Sequence, residues 1–137
     1  MRRTRAGLAT ATAAFLGLGA TGTATAAAGD VLLPHPGPDG LVWVEEQWGD
    51  GGVASGGAHG GLPTVLTVAC EGGGTLRVTM RSQETEVADF AVTCPTDTPA
   101  RGSVTMPPGV VRPGSFTIGV DASSQDVRWA MTVTQPE

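Results

Sequence analysis

Two cysteines that lie 24 positions apart constrain the fold of this chain more than any other feature of its sequence. The stretch from Thr64 to Cys94 reads as three short segments of alternating apolar and polar residues, the pattern of strands that bury one face. Cys70 and Cys94 both fall in the apolar phase, so both are expected in the core. The glycines of residues 71–74 supply a tight turn after the first segment. We predict a disulfide-bonded β-meander whose bridge joins either neighbouring strands or facing sheets.

The sequence outside this stretch carries similar alternating segments, beginning with a predicted strand from Leu41 to Trp48. About seven strands and no helix are predicted for residues 41–135, which is typical of an antiparallel β-sandwich, immunoglobulin-like or jelly-roll-like. Residues 49–61 include seven glycines and are predicted to form a mobile loop. The side chains predicted to point into the core are Leu66, Val68, Cys70, Leu76, Val78, Phe90, Val92, Cys94, Phe116, Ile118, Trp129, Met131 and Val133.

Residues 1–28 have the pattern of a signal peptide. Three arginines precede an apolar stretch at residues 6–20, and small residues follow at the expected cleavage point. Cleavage after Ala28 is favoured, with Ala26 as the second choice and a retained anchor helix as the alternative. Residues 29–40, with three prolines, are predicted to form a flexible arm. The protein is therefore expected to be secreted, without a stable membrane span after cleavage, into an oxidising environment that favours the disulfide.

The charge of the chain argues against nucleic acid as a partner. The whole sequence has a formal net charge of −5, and loss of the three leader arginines takes it to −8. The remaining five cations are arginines spread along the chain, whereas phosphate recognition depends on clustered cations. Nucleic acid and anionic lipid are excluded as expected partners.

The titratable residues do not form a recognisable catalytic or metal-binding motif. His35 and His59 are the two histidines, both in loops rich in Gly or Pro, and two cysteines supply half of a tetrahedral zinc site. Glu45 and Glu46 are adjacent in a predicted strand, so they should point to opposite faces rather than across one cleft. Asp50 together with Asp39 or Glu46 could form a loose calcium site, but a solvated cluster of acidic residues is favoured over it. We expect no catalytic residues, no metal and no cofactor.

The tryptophans are the side chains most suited to binding a partner. Trp129 shares the phase of Met131 and is expected in the core. Trp43 and Trp48 lie in opposite phases of the first strand, so one of them should be more exposed than the other. An exposed Trp beside a loop can stack on a sugar or anchor a protein. Trp43, Trp48 and Asp50 are the candidate binding surface, against the alternative that the exposed Trp only folds over the sandwich edge.

Three short motifs carry a resemblance to known proteins. They are the C-E-G-G-G-T-L-R-V-T-M run, the second Cys, and the closing V-R-W-A-M-T-V-T-Q strand. Over Thr64 to Gln135 the chain resembles small secreted proteins of GC-rich Gram-positive bacteria, most of them uncharacterised. The resemblance implies a disulfide-bonded sandwich and supplies no catalytic residue.

We predict a non-enzymatic secreted module that binds a protein or a cell-envelope glycan through a sheet edge or loops. The alternatives are a carbohydrate-binding module, a secreted protease inhibitor and a purely structural protein. A carbohydrate-binding module would need a row of exposed aromatic side chains. An inhibitor would need a rigid exposed loop, and the segment 49–61 is too rich in glycine to be pre-organised.

Overall fold

The computed structural model describes residues 31–137, so the predicted leader and the first two residues of the arm lie outside the described residues. Leu32–Glu137 form one compact unit. Within it a 3-10 turn, Gly37–Asp39, precedes eight strands. The strands are β1 Gly40–Trp48, β2 Gly51–Ala58, β3 Thr64–Glu71, β4 Gly74–Ser82, β5 Thr85–Cys94, β6 Ala100–Met106, β7 Gly114–Ala122 and β8 Arg128–Thr134.

The strands form two four-stranded sheets, which confirms the predicted all-β sandwich. Sheet A has the order β1-β8-β3-β6 and sheet B has the order β2-β7-β4-β5. Each pair of neighbouring strands is antiparallel. First pairs with eighth, second with seventh, third with sixth and fourth with fifth, which is the arrangement of a jelly roll rather than an immunoglobulin domain. Among the residues described, no helix is both long enough and apolar enough to cross a membrane.

The prediction of a meander over residues 64–94 is wrong. β3 lies in sheet A, whereas β4 and β5 form a hairpin in sheet B. The glycine-rich turn therefore carries the chain from one sheet to the other, and the Gly72 and Gly73 amides donate to the Pro95 carbonyl oxygen at 2.8 and 3.3 Å. Strands of the two sheets both bury one face, so their alternation is the same whether they are neighbours or lie across the core.

The core lies between the two sheets and contains the predicted inward residues. Twelve of the thirteen predicted side chains are buried, and Phe90 is partly buried against the same cluster. Two further buried residues were not among the predicted inward set: Val111, in the connection from β6 to β7, and Thr64, at the start of β3. The Val111 connection is held down because the Arg112 amide donates to the Ser82 hydroxyl at 2.7 Å.

The predicted disulfide is present and crosses the core. Cys70 on β3 and Cys94 on β5 are bonded, with their Cα atoms 5.2 Å apart, and both are buried. The bridge joins facing sheets, which selects one of the two arrangements left open by the sequence. It ties an inner strand of sheet A to an edge strand of sheet B.

The prediction of a mobile loop at residues 49–61 is wrong, because residues 51–58 form β2. β2 pairs with β7, so that Val53 stands opposite Ile118 and Ser55 opposite Phe116. The glycines serve a close approach: a Cβ atom at Gly51 would lie 2.9 Å from the ring of Trp129. Small side chains are needed where β2 passes over the indole. β2 is the one strand that was not among the seven predicted.

The described part of the predicted flexible arm is packed rather than loose. Leu32 and Leu33 are buried with Ala69 of β3 and Ala130 of β8 in a second apolar cluster. Ala69 and Ala130 are paired neighbours in sheet A, and both lie on the face away from the main core. Because their side chains are small, they leave room for two leucines to lie over the sheet, and apolar burial holds the arm there.

Loss of the disulfide should lower stability substantially. Closing a loop of this length stabilises a protein by about 3.5 kcal/mol in the chain-entropy treatment. We expect the midpoint of urea denaturation to fall when reductant is added to the mature protein. The double variant Cys70→Ala/Cys94→Ala should unfold at the lower midpoint with or without reductant. Equal midpoints for the oxidised and reduced wild type would contradict the prediction.

Truncation of the arm's buried side chain should also destabilise the domain. Leu33 is 2% exposed, so Leu33→Ala should reduce the free energy of unfolding by about 2 kcal/mol. Val110→Ala is a suitable control because Val110 is 38% exposed, and its truncation should change stability by less than about 0.5 kcal/mol. If the two variants denature at the same urea concentration, the arm does not contribute to the fold.

Candidate functional site

The outer face of sheet A holds the candidate binding residues in rows that follow the strand pairing. One row runs from Trp43 of β1 to Thr132 of β8 and Thr67 of β3. A second row contains Ala130 and Ala69, and the arm lies over it. A third row runs from Trp48 through Arg128 to Glu71. We call the side chains Trp43, Glu46, Trp48, Glu71 and Arg128 the tryptophan face.

A β-bulge brings both tryptophans to this face. Two residues of β1, Glu45 and Glu46, stand opposite the single residue Ala130 of β8. The extra residue shifts the alternation of β1 by one position, because a bulge places two residues of one strand against one of its partner. Trp43 and Trp48, which a regular strand would point to opposite faces, are therefore both exposed, at 37% and 55%. Trp48 is the more exposed of the two, as predicted, but the expectation that they point to opposite faces is wrong.

Trp43 is held in place by the arm. Its Nε1–H donates to the Leu33 carbonyl oxygen at 3.1 Å. The His35 ring meets the Trp43 ring edge to face, with centroids 4.9 Å apart and planes inclined at 73°. His35 is oriented in turn by its Nδ1, which accepts from the Gly37 amide at 3.0 Å. Trp43 is thus a fixed aromatic surface with one part covered and one part open to solvent.

Trp48 stands beside a network of charged side chains. Arg128 lies opposite it on β8, and the Arg128 side chain is only 15% exposed. The Arg128 guanidinium donates from its Nε to the Glu46 carboxylate. Its Nη1 lies 3.3 Å from Oε2 of the Glu71 carboxylate. An arginine shared by two carboxylates has few free rotamers, so the polar groups next to Trp48 are fixed before any ligand arrives.

Arg128 and Glu71 were missed as site residues by the sequence analysis. Arg128 and Trp48 lie 80 positions apart in the chain, and the sequence does not show that their strands, β8 and β1, are neighbours. Glu71 was interpreted as part of a turn. The available signal was charge, because Arg128 is the one charged residue of its strand.

Asp50 is not part of the tryptophan face. It lies in the short connection from β1 to β2, and its Oδ1 accepts from the Ala122 amide at 2.8 Å. Ala122 is the last residue of β7 in sheet B, so Asp50 fixes the point where the chain leaves sheet A. Within residues 31–137 no three His, Cys, Asp or Glu side chains come together in a way that could hold a metal ion.

His59 has a structural connection to the end of the chain. The Gln135 side chain accepts from the His59 amide at 2.8 Å and donates to the His59 carbonyl oxygen at 3.0 Å. The same Gln135 nitrogen donates to the hydroxyl of buried Thr64 at 3.0 Å. The backbone of His59 is therefore fixed. The two histidines lie in different segments, because His35 belongs to the arm and His59 to the connection from β2 to β3.

The outer face of sheet B carries a different kind of surface. The Arg77 guanidinium of β4 makes two hydrogen bonds to the Asp89 carboxylate of β5, at 3.0 and 2.7 Å. These hydrogen bonds, with the charge attraction that accompanies them, lower the pKa of Asp89 and raise the pKa of Arg77. In the described part of the chain, no strand of sheet B carries an exposed large apolar side chain, whereas Trp43 and Trp48 are exposed on sheet A.

Comparison with known proteins gives little further guidance. No family model matches the chain, and no curated protein matches it. A solved structure with some likeness is the Clostridium thermocellum N-terminal endo-1,4-β-D-xylanase 10B, CBM22-1 and GH10 modules, complexed with xylohexaose. The identity is 12%, the TM-score is 0.32, and the alignment covers 68% of this chain and 26% of that one. At that TM-score the likeness carries no conclusion about ligand or activity.

The Arg77–Asp89 pair predicts a pH-dependent contribution to stability. The pKa of Asp89 is lower in the folded protein, so the pair stabilises above the unfolded pKa of about 3.9, and this contribution is lost as pH falls through the folded value. Asp89→Asn should lower the denaturation midpoint slightly at neutral pH, because the pair is exposed. The difference from the wild type should close in acid. Asp97→Asn, in the turn after β5, is the control, and a difference that persists unchanged in acid would contradict the prediction.

Proposed function

We propose that this protein is a secreted, non-catalytic module that binds a protein or a glycan of the cell envelope through the tryptophan face. The observation that carries the proposal is the shared exposure of Trp43 and Trp48 on one face of sheet A. A partner that covers an exposed indole removes its apolar surface from water, which is favourable. Tryptophan is also enriched among the residues that carry most of the binding energy of an interface.

The fixed polar groups beside Trp48 support the same proposal. A binding site combines apolar surface with a few polar groups that are held in position. Arg128 holds Glu46 and Glu71 on the tryptophan face, and the arm holds Trp43. Neither set of contacts is needed to close the main core, which lies on the opposite side of the sheet.

A non-catalytic role fits the arrangement of the carboxylates. Glycoside hydrolysis requires two carboxyl groups that face each other across a substrate. Glu46 and Glu71 are instead drawn toward the same guanidinium on an open sheet face. The depressions at the β4–β5 turn and beside His59 lie away from these carboxylates. A protease inhibitor is less well supported, because the glycine-rich segment forms β2 rather than an exposed loop.

The test is a pull-down with the mature protein against the secreted proteins and the cell-wall fraction of the producing organism. Wild type should retain a partner, and Trp48→Ala should lose most of it, because truncating a central aromatic side chain typically costs about 2 kcal/mol of binding or more. Val110→Ala removes exposed apolar surface elsewhere and should bind like the wild type. Retention of every partner by both Trp48→Ala and Trp43→Ala would contradict the proposed function.

A further inference from the structure

We propose that the ligand of the tryptophan face is an uncharged, linear glycan chain that lies along β1 and contacts Trp48 and Trp43 together. This inference rests on the proposed function and names the ligand class for the same site. It follows from the spacing of the two indoles, the shape of the surface between them, its charge, and the irregular backbone of β1.

The spacing of the tryptophans sets the length of the ligand. Trp43 stands opposite Thr132 and Trp48 opposite Arg128, so four steps of β8 separate their rows. At a rise of roughly 3.3 Å per strand residue, the two rows are about 13 Å apart. A single sugar ring cannot reach both indoles across such a distance, whereas an extended chain of several sugars can. Once one end is bound, the other end meets the second indole at a high effective concentration.

The surface between the tryptophans has the shape of a track. On its inner side the arm lies over Ala130 and Ala69, and Leu33 contacts Trp43 through its carbonyl oxygen. On its outer side β1 is the edge strand of sheet A, and within the described part of the chain no strand pairs with that side. A linear polymer can therefore enter and leave at both ends, which suits a long chain better than a compact molecule.

The charge of the track excludes anionic ligands. The exposed carboxylates of Glu45 and Glu46 and the partly buried carboxylate of Glu71 lie on or beside it, with Arg128 as the neighbouring cation. Ionised carboxylates only accept hydrogen bonds, and those of Glu46 and Glu71 have more acceptor sites than their contacts with Arg128 use. Hydroxyl groups of an uncharged glycan are suitable donors to these carboxylates, whereas the carboxylates would repel uronate or phosphate groups.

The backbone of β1 favours a glycan over an extended peptide. A peptide would bind an edge strand by continuing its ladder of hydrogen bonds. β1 has register irregularities at Glu45–Glu46 and again near Leu41, so its free edge does not present regularly spaced donors and acceptors. Bulges of this kind are known to protect edges from strand addition. Binding through side chains, with ring faces stacked on the indoles, remains available to sugars.

The experiment measures affinity against chain length by isothermal titration calorimetry. The ligands are cello-, xylo- and manno-oligosaccharides from monosaccharide to hexasaccharide, with oligogalacturonates of the same lengths as the anionic series. For at least one uncharged series, affinity should rise roughly tenfold or more between the disaccharide and the hexasaccharide, since the second stacking contact adds the free energy of an interfacial aromatic residue. The oligogalacturonates should not bind.

Variants separate the two contacts. Trp43→Ala should abolish the rise with length, whereas Trp48→Ala should weaken the binding of every length. Trp43→Phe keeps an aromatic ring but loses the bond to Leu33, so it should retain the rise with length if stacking is its cause. Unchanged thermal denaturation of Trp43→Phe would show that the arm is still packed.

Three results would overturn the inference: no binding of any uncharged series, affinity that does not depend on length, or preferential binding of the anionic series. The proposed function has its own outcome. A protein partner that is captured by the wild type and lost in Trp48→Ala would support a binding module while ruling out a glycan as its ligand.

Discussion

The buried indole of Trp129 is the contact on which both sheets depend. Its Nε1–H donates to the Gly49 carbonyl oxygen at 2.7 Å, and its ring lies under Gly51 of β2. Gly49 has a φ of +72°, which favours glycine, and its amide donates to the Val127 carbonyl oxygen at 2.9 Å. The chain thus passes from sheet A to sheet B around a side chain of β8. Because Trp48 comes directly before this turn, its position on the tryptophan face is fixed by the core.

The sequence was sufficient to predict seven of the eight strands and most of the side chains that face the core, but not the pairing of strands. Alternation in residues 66–70 and 76–80 correctly identified the side chains that meet in the core, since burial of one face is a local property. It could not show that these segments belong to different sheets, because that depends on where the chain crosses the core. Residues 51–58 failed for another reason: their glycines indicate flexibility by composition, whereas the contact with Trp129 that requires Gly51 comes from the far end of the chain.

The candidate site was predicted only in part, because residue type can be seen in the sequence whereas strand pairing cannot. Trp43 and Trp48 were identified from residue type alone, and both are exposed. Their common face could not be predicted, because β1 carries no Gly or Pro at the bulge and two glutamates continue the strand without interruption. The bulge is visible only against β8, where Ala130 faces both. Asp50 follows Trp48 by two positions in the sequence, but the turn directs its side chain to the end of β7 instead.

The arm and the tryptophan face depend on one another through the size of two residues. Ala69 and Ala130 are small enough for Leu32 and Leu33 to cover them, and this packing places the Leu33 carbonyl oxygen where Trp43 can donate to it. A larger side chain at Ala130 would lift the arm and release the Trp43 ring, because overpacking is relieved by moving the least anchored element. The row of alanines therefore decides how much of sheet A is covered. It leaves open the edge along β1, where the two indoles and the Arg128 network lie.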